Sequence, residues 1–233
     1  MRKIVQTALA VSAAFVLVGC VEPAPQAVSK PAPSYSVSRA EARLLPVQRR
    51  VEPVAERYCR DRLPAGSNCD FNIRVDPRAD APANAYQSLD RAGRPQIVFT
   101  AALIAGARND DELGFVMSHE AAHHIEGHLG RKQRDTVTGA VVVGVLATLA
   151  GASAETVDSA LDIGATVGSR AYSKDYEIEA DRMGTVIAHQ AGYDPVRGAE
   201  YFRRIPDPGN AFLGTHPPNA LRIDVVRETA AGL

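Results

Sequence analysis

The sequence predicts an α+β domain, mostly helical, with one small β-sheet. Three observations carry that expectation. Long stretches after residue 38 repeat apolar residues at spacings of three and four, the period of an amphipathic helix. Three short runs between residues 71 and 100 are rich in β-formers and bounded by turn residues, as strands are. The strands fall together and helical patterns follow them, an order that suits one segregated sheet.

Composition bounds the function. The chain has 233 residues, 45% hydrophobic and 23% charged, which excludes wholesale disorder, a collagen-like chain and a multi-span membrane protein. Lys+Arg 26 against Asp+Glu 27 gives net charge −1, which argues against a dedicated nucleic-acid binder.

Residues 1–19 read as a leader. Arg2 and Lys3 form a basic start, and residues 4–18 form an apolar run shorter than the roughly 20 residues needed to span a bilayer. The run closes on Leu17-Val18-Gly19-Cys20, which resembles a bacterial lipobox with Cys20 as the lipidated mature N-terminus. A plain secretory signal is the alternative. Val21 stands where an Asp would retain a bacterial lipoprotein at the inner membrane, so the expected address is the periplasmic face of a Gram-negative outer membrane. Loss of Arg2 and Lys3 takes the net charge from −1 to −3. Cys59 and Cys69 then remain as a pair, and an oxidising compartment predicts a disulfide between them, with two free thiols as the alternative.

Residues 20–38 hold Pro23, Pro25, Pro31 and Pro33 and read as an extended tether. At about 3 Å per residue it reaches up to roughly 50 Å from the bilayer. Residues 39–233 form the folded domain. Leu44, Val47, Val51, Val54, Ala55 and Tyr58 mark its first helix. Phe71-Asn72-Ile73-Arg74-Val75 alternates as a strand does, and residues 84–86 and 96–100 give two more, with Gly93 near the turn between them. Asn109-Asp110-Asp111-Glu112 has the capping-box pattern, opening a helix to about His128 with Gly130 as its stop. Residues 136–150 are almost wholly apolar and residues 155–167 amphipathic. Ser173 is placed to cap a helix running to Gln190 and ending at Gly192, and Asp194-Pro195 starts another by cap and N1 proline.

His119-Glu120-Ala121-Ala122-His123 is an HExxH on the predicted helix. Residues i and i+4 share a face, so both imidazoles can reach one Zn²⁺. Glu120 is rotated about 100° and lies beside such an ion, where it can take a proton from water and pass it to a leaving amine. Glu126 and Leu129 stand where a metzincin would have Gly and His, so that reading is rejected. His124 is expected to pack or face solvent, and His128 to be structural or to support a ligand. A third ligand is sought at Tyr176-Glu177-Ile178-Glu179-Ala180-Asp181. On a helix Glu177 and Asp181 share a face, so Glu177 is the candidate ligand and Asp181 the acceptor for a histidine N–H. Glu179 points about 160° away and is expected on a solvated face.

Taken together, HEAAH, Glu177-x-x-x-Asp181 some fifty residues on, and Thr215-His216-Pro217-Pro218 with Arg222 resemble the HtpX and CAAX-prenyl-protease family of gluzincins, and most of all its soluble periplasmic members. Asn84-Ala85-Tyr86, Asp111-Glu112-Leu113 and Gly192-Tyr193-Asp194-Pro195 fall in family order, and the resemblance covers roughly residues 70–225. Ala122 departs from the Gly common before the second histidine. The resemblance implies a zincin-like metallopeptidase domain with one Zn²⁺ per chain on His119, His123 and Glu177, Glu120 as base and Asp181 and Arg222 as support. His216 would steady the oxyanion or close the open metal position in a latent state. The apolar stretch at 136–151, membrane-spanning in integral relatives, is here too short to span. It is expected as a core-packed helix or a helical hairpin, with a contact to membrane or a membrane-protein partner as the alternative.

The implied function is a zinc endopeptidase for misfolded or misassembled envelope proteins, with the outer-membrane assembly machinery as a possible partner. The strand at 96–100 is expected to line the cleft with a free edge. Residues 207–215, with Gly209 and Gly214, are expected as a mobile gate. A zinc-bearing chaperone or assembly factor with little proteolysis is the alternative reading.

Overall fold

The computed structural model describes residues 35–171, 173–207, 209 and 217–233. The expected leader, Cys20, the tether up to residue 34, His216 and most of the expected gate lie outside the described residues.

The first helix, α1 (Val37–Arg62), is capped by Ser36, whose side chain accepts the Arg39 N–H. Its buried stripe of Ala40, Leu44, Val47, Val51, Val54 and Ala55 repeats every three to four residues, so one face enters the core. A Cys59–Cys69 disulfide ties the end of this helix to the approach of the sheet.

The sheet has three strands, β1 (Asn72–Val75), β2 (Ala85–Leu89) and β3 (Pro95–Phe99), in the order β1-β3-β2. β1 runs parallel to β3 with Ile73 opposite Ile97, and β2 runs antiparallel to it with Gln87 opposite Ile97. The expectation of a free edge on the strand at 96–100 is therefore corrected. β3 is the central strand, paired on both sides, and its Ile97, Val98 and Phe99 are buried. The edge beside the cleft belongs to β2. The reason is the tight β2–β3 turn, in which Asp90 accepts the N–H groups of Ala92 and Arg94 and Gly93 takes φ 78°. That turn folds β2 against one side of β3 while β1 takes the other.

A short helix, α2 (Ala101–Gly106), follows, with Thr100 as its cap. The long α3 (Asp110–Ile125) is buried from Glu112 through Ala122. Such a helix packs on all sides, and α3 is the centre of the domain. Asn109 caps it by accepting the Glu112 N–H, as expected, but Glu112 reaches back to the Arg108 N–H instead of closing the box on Asn109. Glu112 is itself buried and clamped by Arg204.

The helix stops earlier than expected. Gly127, at φ 67°, turns the chain, and α4 (His128–Leu149) starts at once. Gly130 lies inside that second helix. α4 pairs with α5 (Ala154–Ala171) as a helical hairpin. The backbones meet so closely that a Cβ on Gly139 would stand 2.2 Å from the Gly164 carbonyl oxygen. With glycines at the seam, the bulky residues point outward, and Val141, Val142, Val145, Leu146 and Leu149 are exposed. This corrects the core-packed expectation and keeps the hairpin one. Among the described residues no helix is long and apolar enough to cross a membrane.

Next comes α6 (Ser173–Gln190), which packs along α3. The Ser173 hydroxyl donates to the Ser169 carbonyl. α7 (Pro195–Ala199) starts as expected, with Asp194 accepting the Val196 and Arg197 N–H groups. A 3-10 turn (Glu200–Arg204) and α8 (Asn219–Ala231) complete the described chain.

Candidate metal centre

The centre forms where α3, α6 and α8 meet. α3 supplies His119 and His123, one turn apart. α6 supplies Glu177 and Asp181, also one turn apart. α8 supplies Arg222. His119, Glu120, Glu177, Asp181 and Arg222 are all buried.

The Nε2 atoms of His119 and His123 lie 3.1 Å apart. Glu177 offers Oε2 at 3.4 Å from His119 Nε2 and Oε1 at 3.5 Å from His123 Nε2. One donor atom from each of these three residues falls within 4.8 Å of the others. Four-coordinate zinc with bonds of 2.0–2.1 Å has ligand–ligand edges of about 3.3 Å. The spacing and the His-His-carboxylate donor set therefore fit that ion.

Behind the donors the polar groups are satisfied. His119 Nδ1 lies 3.0 Å from Asp181 Oδ1. Asp181, at 0% exposure, receives Arg222 through a two-pronged contact, Nε to Oδ2 and Nη2 to Oδ1, each 2.7 Å. Arg222 also lies 3.3 Å from Glu177 and packs its guanidinium over the Phe202 ring. It thus compensates two buried carboxylates, as a buried charge requires.

Charges in the cluster are strongly coupled. Burial disfavours a charged His119, but the Asp181 and Glu177 carboxylates outweigh it and raise this imidazole to about 9. Burial and the neighbouring His119 charge push His123 well below the ordinary histidine range. Burial raises the Glu120 carboxyl, partly offset by His119 and by the Gln87 N–H of β2. A carboxylate displaced toward neutrality in this way suits proton transfer.

A cleft of about 910 Å³ opens on the cluster, lined by the edge of β2 from Ala85 to Gln87 on one side and by Phe115, Tyr201 and Phe202 on another. His119, Glu120, His123 and Glu177 all face it.

The structure thus brings together His119, Glu120, His123, Glu177, Asp181 and Arg222. Cys59 and Cys69 are joined, away from the cluster. His124 donates from Nε2 to the Asn68 carbonyl and meets the Phe71 ring edge-on, so it packs as expected. Glu179 is only partly solvated, its side chain 36% exposed. It bonds to His128 at 3.1 Å and to Arg131, because the first turns of α4 pack on the side of α6 opposite Glu177. Sequence reading missed this pair and missed Gly184, whose bare Cα lets α6 approach α3. The alternation Glu177-x-Glu179-x-Asp181 was the visible signal, read there for only two of its three members.

Comparison with known proteins agrees with this geometry. The pattern described as Peptidase family M48 matches residues 41–230. The beta-barrel assembly-enhancing protease of Escherichia coli (strain K12) is 31% identical over 133 residues, 54% of this chain and 27% of that protein. The Yersinia pestis protein of the same name is 28% identical over 147 residues, 58% of this chain and 30% of that one. The mitochondrial metalloendopeptidase OMA1 of Schizosaccharomyces pombe is 27% identical over 127 residues, 52% of this chain and 37% of that one. The chain thus spans about a third or less of the bacterial relatives it matches.

Proposed function

The chain belongs to peptidase family M48, and from that premise we propose that it is a zinc-dependent endopeptidase of the bacterial periplasm, tethered to the outer membrane by lipid on Cys20. Its proposed substrates are misfolded or misassembled envelope proteins, with the outer-membrane assembly machinery as partner. The observation that carries the enzymatic reading is the His119-His123-Glu177 cluster with Glu120 beside it in an open cleft. The names of the bacterial relatives support the choice of substrate class.

His119, His123 and Glu177 would hold the zinc. When bound, that ion supplies a Lewis acid that polarises a peptide carbonyl and acidifies water. The chain's own residues do the rest. The β2 edge beside the cleft would take an extended peptide, which adds as a strand and is read through its main chain. Such recognition tolerates many sequences and suits unfolded segments. Glu120 takes the proton of the attacking water and delivers it to the leaving amine. Asp181 orients His119, and Arg222 holds Asp181. His216 is proposed to steady the oxyanion as the carbonyl becomes tetrahedral.

The test is cleavage of unfolded casein by the chain and by its Glu120→Gln variant, with bound zinc quantified in both. Cleavage by the first, none by the second and equal zinc in both is the expected result. Cleavage that survives Glu120→Gln sinks the mechanism. Zinc without cleavage by either favours the chaperone reading.

A further inference from the structure

His123 turns its second ring nitrogen toward another histidine, not toward a carboxylate. His123 Nδ1 and His128 Nδ1 lie 2.9 Å apart, and His128 Nε2 lies 3.1 Å from Glu179 Oε2. His119, by contrast, meets its carboxylate Asp181 directly. The two chains of contacts are otherwise alike, since each carboxylate is clamped by an arginine, Asp181 by Arg222 and Glu179 by Arg131. Building on the zinc site proposed above, we infer that His128 and Glu179 are positioning residues, a relay that sets the tautomer and ring orientation of His123 as Asp181 sets those of His119.

The tautomers follow from valence. An imidazole that offers Nε2 to a metal carries its proton on Nδ1. For His123 that N–H points at His128 Nδ1, which must then accept. His128 consequently carries its own proton on Nε2 and donates it to Glu179. Every hydrogen bond runs in one direction, from ligand to carboxylate. The reverse tautomer of His128 sets two N–H groups against each other across 2.9 Å.

Packing holds the relay in place. His128 is 4% exposed, and its ring stacks on Tyr176 with centroids 4.8 Å apart and planes 18° from parallel. Arg131 also lies over the Tyr176 ring, and the Tyr176 hydroxyl donates to Asp135. The root of α4 is thereby stapled to α6. The helix break at Gly127 is what makes the contact possible. On one continuous helix, residues five apart would project about 140° from each other. The left-handed turn at Gly127 starts α4 in a new direction and brings His128 back to His123.

The experiment is a long-range ¹H–¹⁵N correlation spectrum of the zinc-loaded full chain labelled at histidine nitrogen, with zinc affinity measured by competition against a chelating dye. The expected spectrum has His123 protonated on Nδ1 and His128 on Nε2. His128→Phe keeps a ring against Tyr176 but offers no acceptor, and zinc affinity is expected to fall roughly 10–100-fold. His128→Asn returns an acceptor near the Nδ1 position and is expected to recover most of that loss. A proton on His128 Nδ1, or a folded His128→Phe variant that binds zinc as tightly as the parent, overturns the relay. If His128→Phe does not fold, the parent spectrum still decides. A parent chain that binds no zinc overturns the metal site and the relay together, whereas zinc bound with the wrong tautomer at His128 overturns the relay alone.

Discussion

Gly184 of α6 lies directly against the backbone of His119 in α3, so that a Cβ on Gly184 would stand 2.9 Å from both the Cα and the amide nitrogen of His119. Gly184 follows Glu177 by seven residues, two turns of helix, and so shares its face. The face that offers Glu177 and Asp181 to the histidines also carries the one residue bare enough to let the two helices touch there.

Gly184→Ala is therefore expected to weaken the protein despite the better helix propensity of alanine. That propensity gain is at most about 1 kcal/mol. The clash is with backbone atoms that cannot rotate away, and overpacking of this kind costs about 1–3 kcal/mol. The net expectation is a loss of stability together with weaker zinc binding, since Glu177 and Asp181 move with α6. Denaturant unfolding and chelator competition measure both. A variant as stable as the parent would contradict the close approach.

Arg222 and Asp181 form a fully buried pair. Arg222→Met leaves the Asp181 charge without its clamp, and breaking such a pair costs about 3–5 kcal/mol. Asp181→Asn instead spares the packing but weakens the hold on His119, with zinc affinity expected to fall roughly 10–100-fold. The double variant Arg222→Met with Asp181→Leu removes both charges and is expected to be more stable than Arg222→Met alone. If the double variant is the least stable, the pair does not couple as described.

At the end of β1, the Asp76 carboxylate accepts the Arg78 backbone N–H at 2.9 Å and the guanidinium at 3.1 and 2.7 Å. These bonds lower its pKa from 3.8 to about 2. The folded-state value is depressed, so the stabilising contribution is whole above 3.8 and is lost as pH falls through about 2. An NMR titration of the Asp76 side-chain carbon is expected to reach its midpoint near 2, and Arg78→Ala to move it up toward 3.8. An unmoved midpoint would show that Arg78 is not the cause.

The Cys59–Cys69 disulfide closes a short loop, with ten residues of sequence separation. Chain entropy for a loop of that size predicts a loss of about 2–3 kcal/mol when both cysteines become alanine. The bond lies outside the metal cluster, so zinc stoichiometry is expected to hold while the melting temperature falls. Loss of zinc at a temperature where the variant is still folded would mean the loop supports the centre through His124 and Asn68.

Much of the site was legible because its logic is helical phase. His119 and His123 share a face by spacing alone, and so do Glu177 and Asp181. Caps at Asn109 and Asp194 could be read for the same reason, since each is a contact between near neighbours in the chain. What escaped was set by partners far along the sequence. Glu179 looks solvated from within α6, and only the arrival of α4 gives it His128 and Arg131. The end of α3 was misplaced because Gly127 and Gly130 carry the same local signal, and tertiary packing at His128 chose the first.

By itself the sequence determined the local geometry of this protein: which residues share a helix face, where helices start, and hence which side chains can converge on one ion. Those properties follow from backbone period and capping, which neighbours in the chain decide. The tertiary structure alone decided strand order, and so moved the cleft edge from the strand at 96–100 to β2. It also decided that Val137, Val141, Val142 and Val145 point outward, because glycines at the α4–α5 seam took the inward positions. Apolar composition is the same for a buried helix and for an exposed one. Only the packing of another element against it distinguishes them.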